Sequence, residues 1–241
     1  MAKISFKKVT KEIENLVIES ITTNTNFANI DVTIDKVFKK KEALYSDILF
    51  YDCSEYINER KIVFNITAAR KFKIIEDYLE LYVSLLIPFN IHNAKIDSII
   101  NYTISLDDEF TRANKTVVEV DNYNNNILKK SVLSNIELAI KELDALSDIR
   151  VLDKLANEKL NDSAVNPRNI GSGIYYHKMI IAKLAGNKMY EEIYKYFIDV
   201  LEKDIAKQTK YSEESKVHIK ITNQLYEDLK SVKPLENPGL I

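Results

Sequence analysis

Four glycines and four prolines in 241 residues leave this chain little with which to build tight turns. Glycine supplies left-handed backbone at turn corners and proline presets their first corner, so scarcity of both argues against many short hairpins. A helix-heavy chain with few strands is the expectation. Hydrophobic residues at 46% and charged residues at 29% match a folded, soluble chain of one to two domains. That balance excludes a disordered chain, a collagen-like chain and a bundle of membrane spans. Lys plus Arg is 34 against 36 for Asp plus Glu, a net charge of -2, so no overall field draws the chain toward nucleic acid or anionic lipid.

Cys53 is the only cysteine, so no disulfide forms within the chain, and a reducing compartment is favoured. The first residues, Met1 to Lys8, hold no apolar run of the kind that marks a signal peptide. The longest apolar stretch, Val83 to Phe89, contains Ser84 and Pro88 and falls far short of the roughly 20 residues a spanning helix needs. A cytoplasmic location is therefore expected, with no membrane partner.

Hydrophobic spacing divides the chain in two. Phe6, Val9, Ile13, Leu16, Val17 and Ile21 recur at three- and four-residue steps, which predicts an amphipathic helix over residues 4–22. Ile30, Val32, Ile34 and Phe38 alternate with polar residues as in one strand with a wet face. Leu44 to Cys53 and Lys61 to Thr67 read as two more strands, joined as a hairpin by the polar Ser54–Arg60. Ala68 to Ile87 returns to helical spacing and stops at Pro88, which lacks an amide hydrogen. Residues 96–104 and 115–120 are candidate strands. The run Asp121-Asn122-Tyr123-Asn124-Asn125-Asn126 is the clearest break, and beyond it only helical periodicity remains. Helices are expected over 127–146, 149–160, 174–184, 189–207 and 213–232, with Gly186 capping the third of them and Ser212 capping the last. The fold class is thus α+β: an N-terminal helix–three-strand–helix–strand unit with a small mixed sheet over 1–121, an all-helical bundle over 127–233, and an irregular tail over 234–241.

No strong chemical motif is present: no phosphate-binding P-loop, no G-x-S-x-G elbow, no paired CxxC and no HExxH. His92, His177 and His218 are scattered, and a zinc site needs about four converging ligands, so no metal centre is expected. Cys53 stands beside Asp52 and Glu55, which disfavour its thiolate.

The order helix, strand, strand, strand, helix, strand over 4–105 resembles the core of the PD-(D/E)xK nucleases. The resemblance implies an acid on the second strand and an acid-x-Lys on the third, which together hold a divalent cation such as Mg and orient a water. Asp47 opens the second strand, and Glu59-Arg60-Lys61 supplies the acid-x-Lys spacing. Asp47, Glu59 and Lys61 are therefore the candidate catalytic residues of that reading. The third strand's own body, Phe64-Asn65-Ile66-Thr67, carries neither acid nor lysine, which departs from the family pattern.

A second candidate is Arg168-Asn169-Ile170-Gly171-Ser172-Gly173, which leads into the helix at Ile174. Glycines before a helix expose amides that suit an anion. Arg168, Gly171, Ser172, Gly173 and His177 would form that site, although the fragment lacks the preceding strand of a nucleotide-binding loop. Lys36, Lys39, Lys40 and Lys41 read as a solvated strand end, and Asp107-Asp108-Glu109 as an exposed turn. Tyr190, Ile193, Tyr194, Phe197 and Leu201 form one core face, while Tyr175, Tyr176 and Tyr196 fall outside it and suit a protein interface. With no assembled reactive set, the leading expectation is a non-catalytic protein that binds a protein partner without a cofactor. A metal-dependent nuclease, or a decayed relative of one, is the alternative.

Overall fold

A computed structural model of the chain describes residues 5–31, 36–86, 103–106, 108–158, 174–208 and 212–239. The fold is α+β with a helical C-terminal region. The chain divides into two compact units, residues 1–70 with 105–144, and residues 71–104 with 145–241.

The first unit is built on a sheet. Helix α1 (Phe6–Asn24) precedes strands β1 (Ala28–Asp31), β2 (Lys36–Lys41), β3 (Tyr45–Tyr56) and β4 (Lys61–Phe72). The sheet runs β1-β2-β3-β4-β5, where β5 is Ile104–Ser105, and β6 (Thr116–Glu119) also pairs with β4. The β1–β2, β2–β3 and β4–β6 pairs are antiparallel. Along α1, Val9, Ile13, Val17 and Ile21 are at most 1% exposed, the stripe that the spacing predicts. Burying each contributes roughly 1.5–3 kcal/mol.

The alternation over 30–38 is not one strand. Ala28 pairs with Lys39 and Asp31 with Lys36, so the run folds back as a hairpin. A hairpin keeps a period of two on both arms, so spacing alone does not reveal the reversal. Four strands therefore precede the next helix, one more than the nuclease resemblance implies.

Strand β4 is also longer than its apolar run. Ile66, Ala68, Arg70 and Phe72 continue the alternation and are all buried, which holds the backbone extended past Thr67. The β3–β4 turn is a short 3₁₀ segment, Ile57–Glu59, closed by Arg60 in the left-handed region at φ 52°. Arg60 is held there by Asp121, whose two oxygens accept from its Nε and Nη2 at 2.6 Å each. After β5 the chain forms α3 (Asp108–Ala113), where an exposed turn was expected. Helix α4 (Asn125–Ala145) buries Leu128, Val132, Ile136, Ala139 and Leu143.

The second unit collects α2 (Lys73–Leu86), α5 (Ile149–Asn157), α6 (Ile174–Ala185), α7 (Tyr190–Ala206) and α8 (Ser212–Lys230). Helix α6 buries Met179, Ile180, Ile181, Ala182 and Leu184, an almost unbroken run. Apolar residues all round a helix mark a central element, and α6 packs against α2, α5, α7 and α8. Helix α5 buries Ile149, Leu152 and Ala156. Asp148 caps it by accepting from the Arg150 amide at 2.8 Å. The terminal segment is irregular but tied down: Leu235 N donates to Leu184 O at 2.9 Å, and Ile149 N donates to Pro238 O at 2.8 Å.

Gly186 ends α6 at φ 72°. Its amide donates to Lys183 O at 3.2 Å and the Asn187 amide to Ala182 O at 2.9 Å, the paired bonds of a Schellman cap. A Cβ on Gly186 would stand 3.2 Å from Pro234 Cγ. Gly186→Ala is expected to cost about 1–2 kcal/mol, because an L side chain is strained in that backbone region. Urea denaturation followed by circular dichroism reads this as a lowered midpoint, and an unchanged midpoint would contradict it.

Candidate functional site

Asp47, Glu59 and Lys61 do not come together. Glu59 lies in the 3₁₀ turn and accepts from Lys61 Nζ at 3.3 Å, both side chains being well exposed. Asp47 sits nine residues before the end of β3 at Tyr56. At about 3.3 Å per residue that is about 30 Å of extended strand. Two carboxylates so placed do not share one cation. Among the described residues no group of three His, Cys, Asp or Glu side chains could hold a metal ion.

Asp47 instead has a different partner. Its residue is 1% exposed, and Arg70, also 1% exposed, stands on the neighbouring strand β4. Arg70 Nε donates to Asp47 Oδ1 at 2.6 Å and Nη2 to Oδ2 at 3.0 Å, a bidentate fork. Nη1 reaches Asp144 Oδ1 on α4 at 2.8 Å. The ring of Tyr45 lies 3.9 Å from the guanidinium carbon, a cation–π contact. Burial pushes the Asp47 carboxyl above the usual carboxylate range, against the pull of Arg70. Burial works against the charge on Arg70, but Asp47 and Asp144 raise its pKa above the ordinary value. Lys40, opposite Asp47 in the β2–β3 register, is engaged by Glu42 at 2.8 Å.

A second buried cluster lies in the other unit. Glu76 on α2 is 3% exposed and His177 on α6 is fully buried. Glu76 Oε1 accepts from the Thr103 hydroxyl at 2.7 Å and meets His177 Nε2 at 2.9 Å. Thr103 Oγ1 in turn accepts from the Phe72 amide at 3.0 Å. The contact with a carboxylate places the ring proton on Nε2. Nδ1 is buried and has no hydrogen-bond partner among the described residues. Burial raises the Glu76 pKa, but the bonds from His177 and Thr103 outweigh it and hold the carboxyl below the usual range.

His177 is thus committed to Glu76. Its proposed companions Arg168, Gly171, Ser172 and Gly173 lie outside the described residues, as does the 96–102 part of the expected fourth strand. Tyr176, whose position in the sequence places it outside the apolar face, is buried at 4% exposure. Its hydroxyl is 2.6 Å from His218 Nδ1, and the two rings stack. Tyr194 stacks on Tyr226 with ring centroids 4.0 Å apart, joining α7 to α8.

Sequence reasoning missed Arg70, Asp144, Glu76 and Thr103. A signal for two of them was present. Arg70 occupies an inward position of the β4 alternation, and Glu76 falls beside Ile75 and Leu79 on the apolar face of α2. A charge at a core position needs a buried partner. What the sequence lacks is the partner's address.

The Asp47–Arg70 and Glu76–His177 pairs are thus each satisfied within their own unit. Several large apolar side chains are exposed, Ile57 and Ile127 most of all; on α5 two of them, Val151 and Leu155, lie one turn apart at 43% and 36% exposure. Among the described residues no helix is long and apolar enough to cross a membrane. Comparison of the chain with protein-family models, with curated proteins and with solved structures found no match.

Proposed function

We propose that this protein works by docking a protein partner rather than by catalysing a reaction, and that it does so without a cofactor in a cytoplasmic setting. The observation that supports this most is the exposed apolar pair Val151 and Leu155 on α5. Residues at i and i+4 share a helix face, so the pair forms a short apolar stripe on a helix whose other face is already buried. Ile149, Leu152 and Ala156 hold that buried face in the core, so the stripe is presented on a fixed support. The two ionic clusters support the same reading, because each carboxylate in them is engaged by a cation or a hydroxyl within its own unit.

The test compares the full chain with the double variant Val151→Ser and Leu155→Ser. Both positions are exposed, so the thermal midpoint should move little, since surface changes of this kind stay within about 0.5 kcal/mol. A protein retained by the full chain should be lost by the folded variant. Equal retention by both would overturn the reading. So would cleavage of DNA or RNA by the full chain in the presence of Mg.

A further inference from the structure

We infer that Lys178 on α6 is an amine nucleophile that captures a small aldehyde as an imine. Residues 176–182 of α6 are buried without a break, and Lys178 lies among them at 8% exposure. A lysine in such a place normally has a carboxylate beside it. Among the described residues, Lys178 Nζ has neither a hydrogen bond nor an ion pair. Acids on helices packed against α6 are engaged elsewhere. Glu76 on α2 holds His177 and Thr103, and Asp153 on α5 accepts from Asn157 and Asn187 Nδ2 at 2.8 Å each. Burial therefore pushes the amine below the ordinary lysine value, and no charged group among the described residues offsets it. A second polar group at the same contact is open. Asn157 Nδ2 donates to Lys178 O at 3.2 Å and to Asp153 Oδ1 at 2.8 Å, which fixes the orientation of the amide. Its Oδ1 is buried and has no hydrogen-bond partner among the described residues.

Only the uncharged amine has a lone pair to give, and an ordinary lysine is uncharged in about 0.04% of molecules at about pH 7. Each unit by which burial lowers the pKa raises that share about tenfold. A lysine buries its methylene stem and turns its amine toward water, so the 8% left open is the route to Nζ. So narrow a route admits a small carbonyl compound and excludes a bulky one. Nζ adds to the carbonyl carbon, and one of its protons moves to the oxygen, giving a carbinolamine. Loss of water then leaves the C=N bond. One amine and one aldehyde give one imine and one water, so neither oxidant nor reductant is required. The reaction makes no use of Val151 or Leu155, so it is independent of docking at α5.

The site is tested on the folded full chain, exposed briefly to acetaldehyde with sodium cyanoborohydride. The hydride reduces each imine to a stable ethylamine, and peptide mass spectrometry reads the rate at every lysine. At about pH 7, Lys178 should be ethylated at least about tenfold faster than Lys11 and Lys195, which are exposed. In the chain unfolded in urea the three rates should become equal, because the preference comes from burial and not from the neighbouring sequence. A rate at Lys178 equal to or below those of Lys11 and Lys195 in the folded chain would overturn the inference. So would a preference for Lys178 that survives unfolding.

Discussion

Arg70→Ala is expected to lower stability by about 3–5 kcal/mol, the usual result of removing one member of a buried ion pair. The loss does not come from the attraction alone. With Arg70 gone, Asp47 remains at 1% exposure with a carboxylate that has lost its cation and both of its fork donors. Two companion variants separate the causes. Arg70→Lys keeps a charge but cannot form the two-pronged bond or stack on Tyr45, so a substantial part of the loss should remain. The double change Asp47→Leu with Arg70→Met removes both charges and fills the space with apolar atoms. It should recover most of the loss, because two matched charges in a core contribute little net stability over apolar residues of similar size. Urea midpoints of the four proteins give these differences directly. A double variant no more stable than Arg70→Ala would show that Arg70 acts through contacts other than Asp47.

Glu76→Ala should have an effect nearly as large, about 2–5 kcal/mol. It strands two buried donors, the Thr103 hydroxyl and His177 Nε2, each costing about 1–3 kcal/mol when left unpaired. The same residue sets part of the acid response. Its carboxyl is held below the usual range in the folded chain, by hydrogen bonds that outweigh the effect of burial. The unfolded chain therefore takes up a proton at Glu76 at a higher pH than the folded chain does. The resulting stabilisation is fully present above the unfolded pKa of about 4.3 and is lost as the pH falls through the lowered folded value. Glu76→Gln keeps an oxygen for Thr103 and His177 but has no proton to exchange. Its stability should fall less steeply with acid than that of the unaltered chain below about pH 4.3. Parallel slopes for the two proteins would mean that Glu76 is not the group that titrates.

Much of the architecture is legible in the spacing of apolar residues, and the particular successes show why. Val9, Ile13, Val17 and Ile21 face one way on α1 because a helix returns to the same side every three or four residues, a local rule. Leu128 to Leu143 on α4 and the helices beyond it obey the same rule, and Gly186 marks the end of α6 because few other residues accept its backbone angles. The hairpin within 28–41 was not legible, since a reversal between two strands leaves the period of two intact. Nor was the end of β4, where Ala68 and Arg70 continue a buried alternation that composition alone attributes to a helix.

Two features depend on contacts far apart in sequence. Residues 71–104 cluster with 145–241 although 105–144 intervene, and no linear pass along the chain orders that exchange. Glu76 and His177 are 101 positions apart, and Asp47 and Arg70 are 23 apart. The presence of a charge at a core position is visible in the sequence, but the residue that answers it is fixed only by packing.

The buried ion pairs hold the fold, and the α5 surface is the part offered to a partner. Capture of the partner protein is compared for two folded variants. One replaces the buried pair, Asp47→Leu with Arg70→Met; the other alters the α5 surface, Val151→Ser with Leu155→Ser. The account requires the first to retain the partner and the second to lose it. Loss by the first with retention by the second, both proteins being folded, would contradict it.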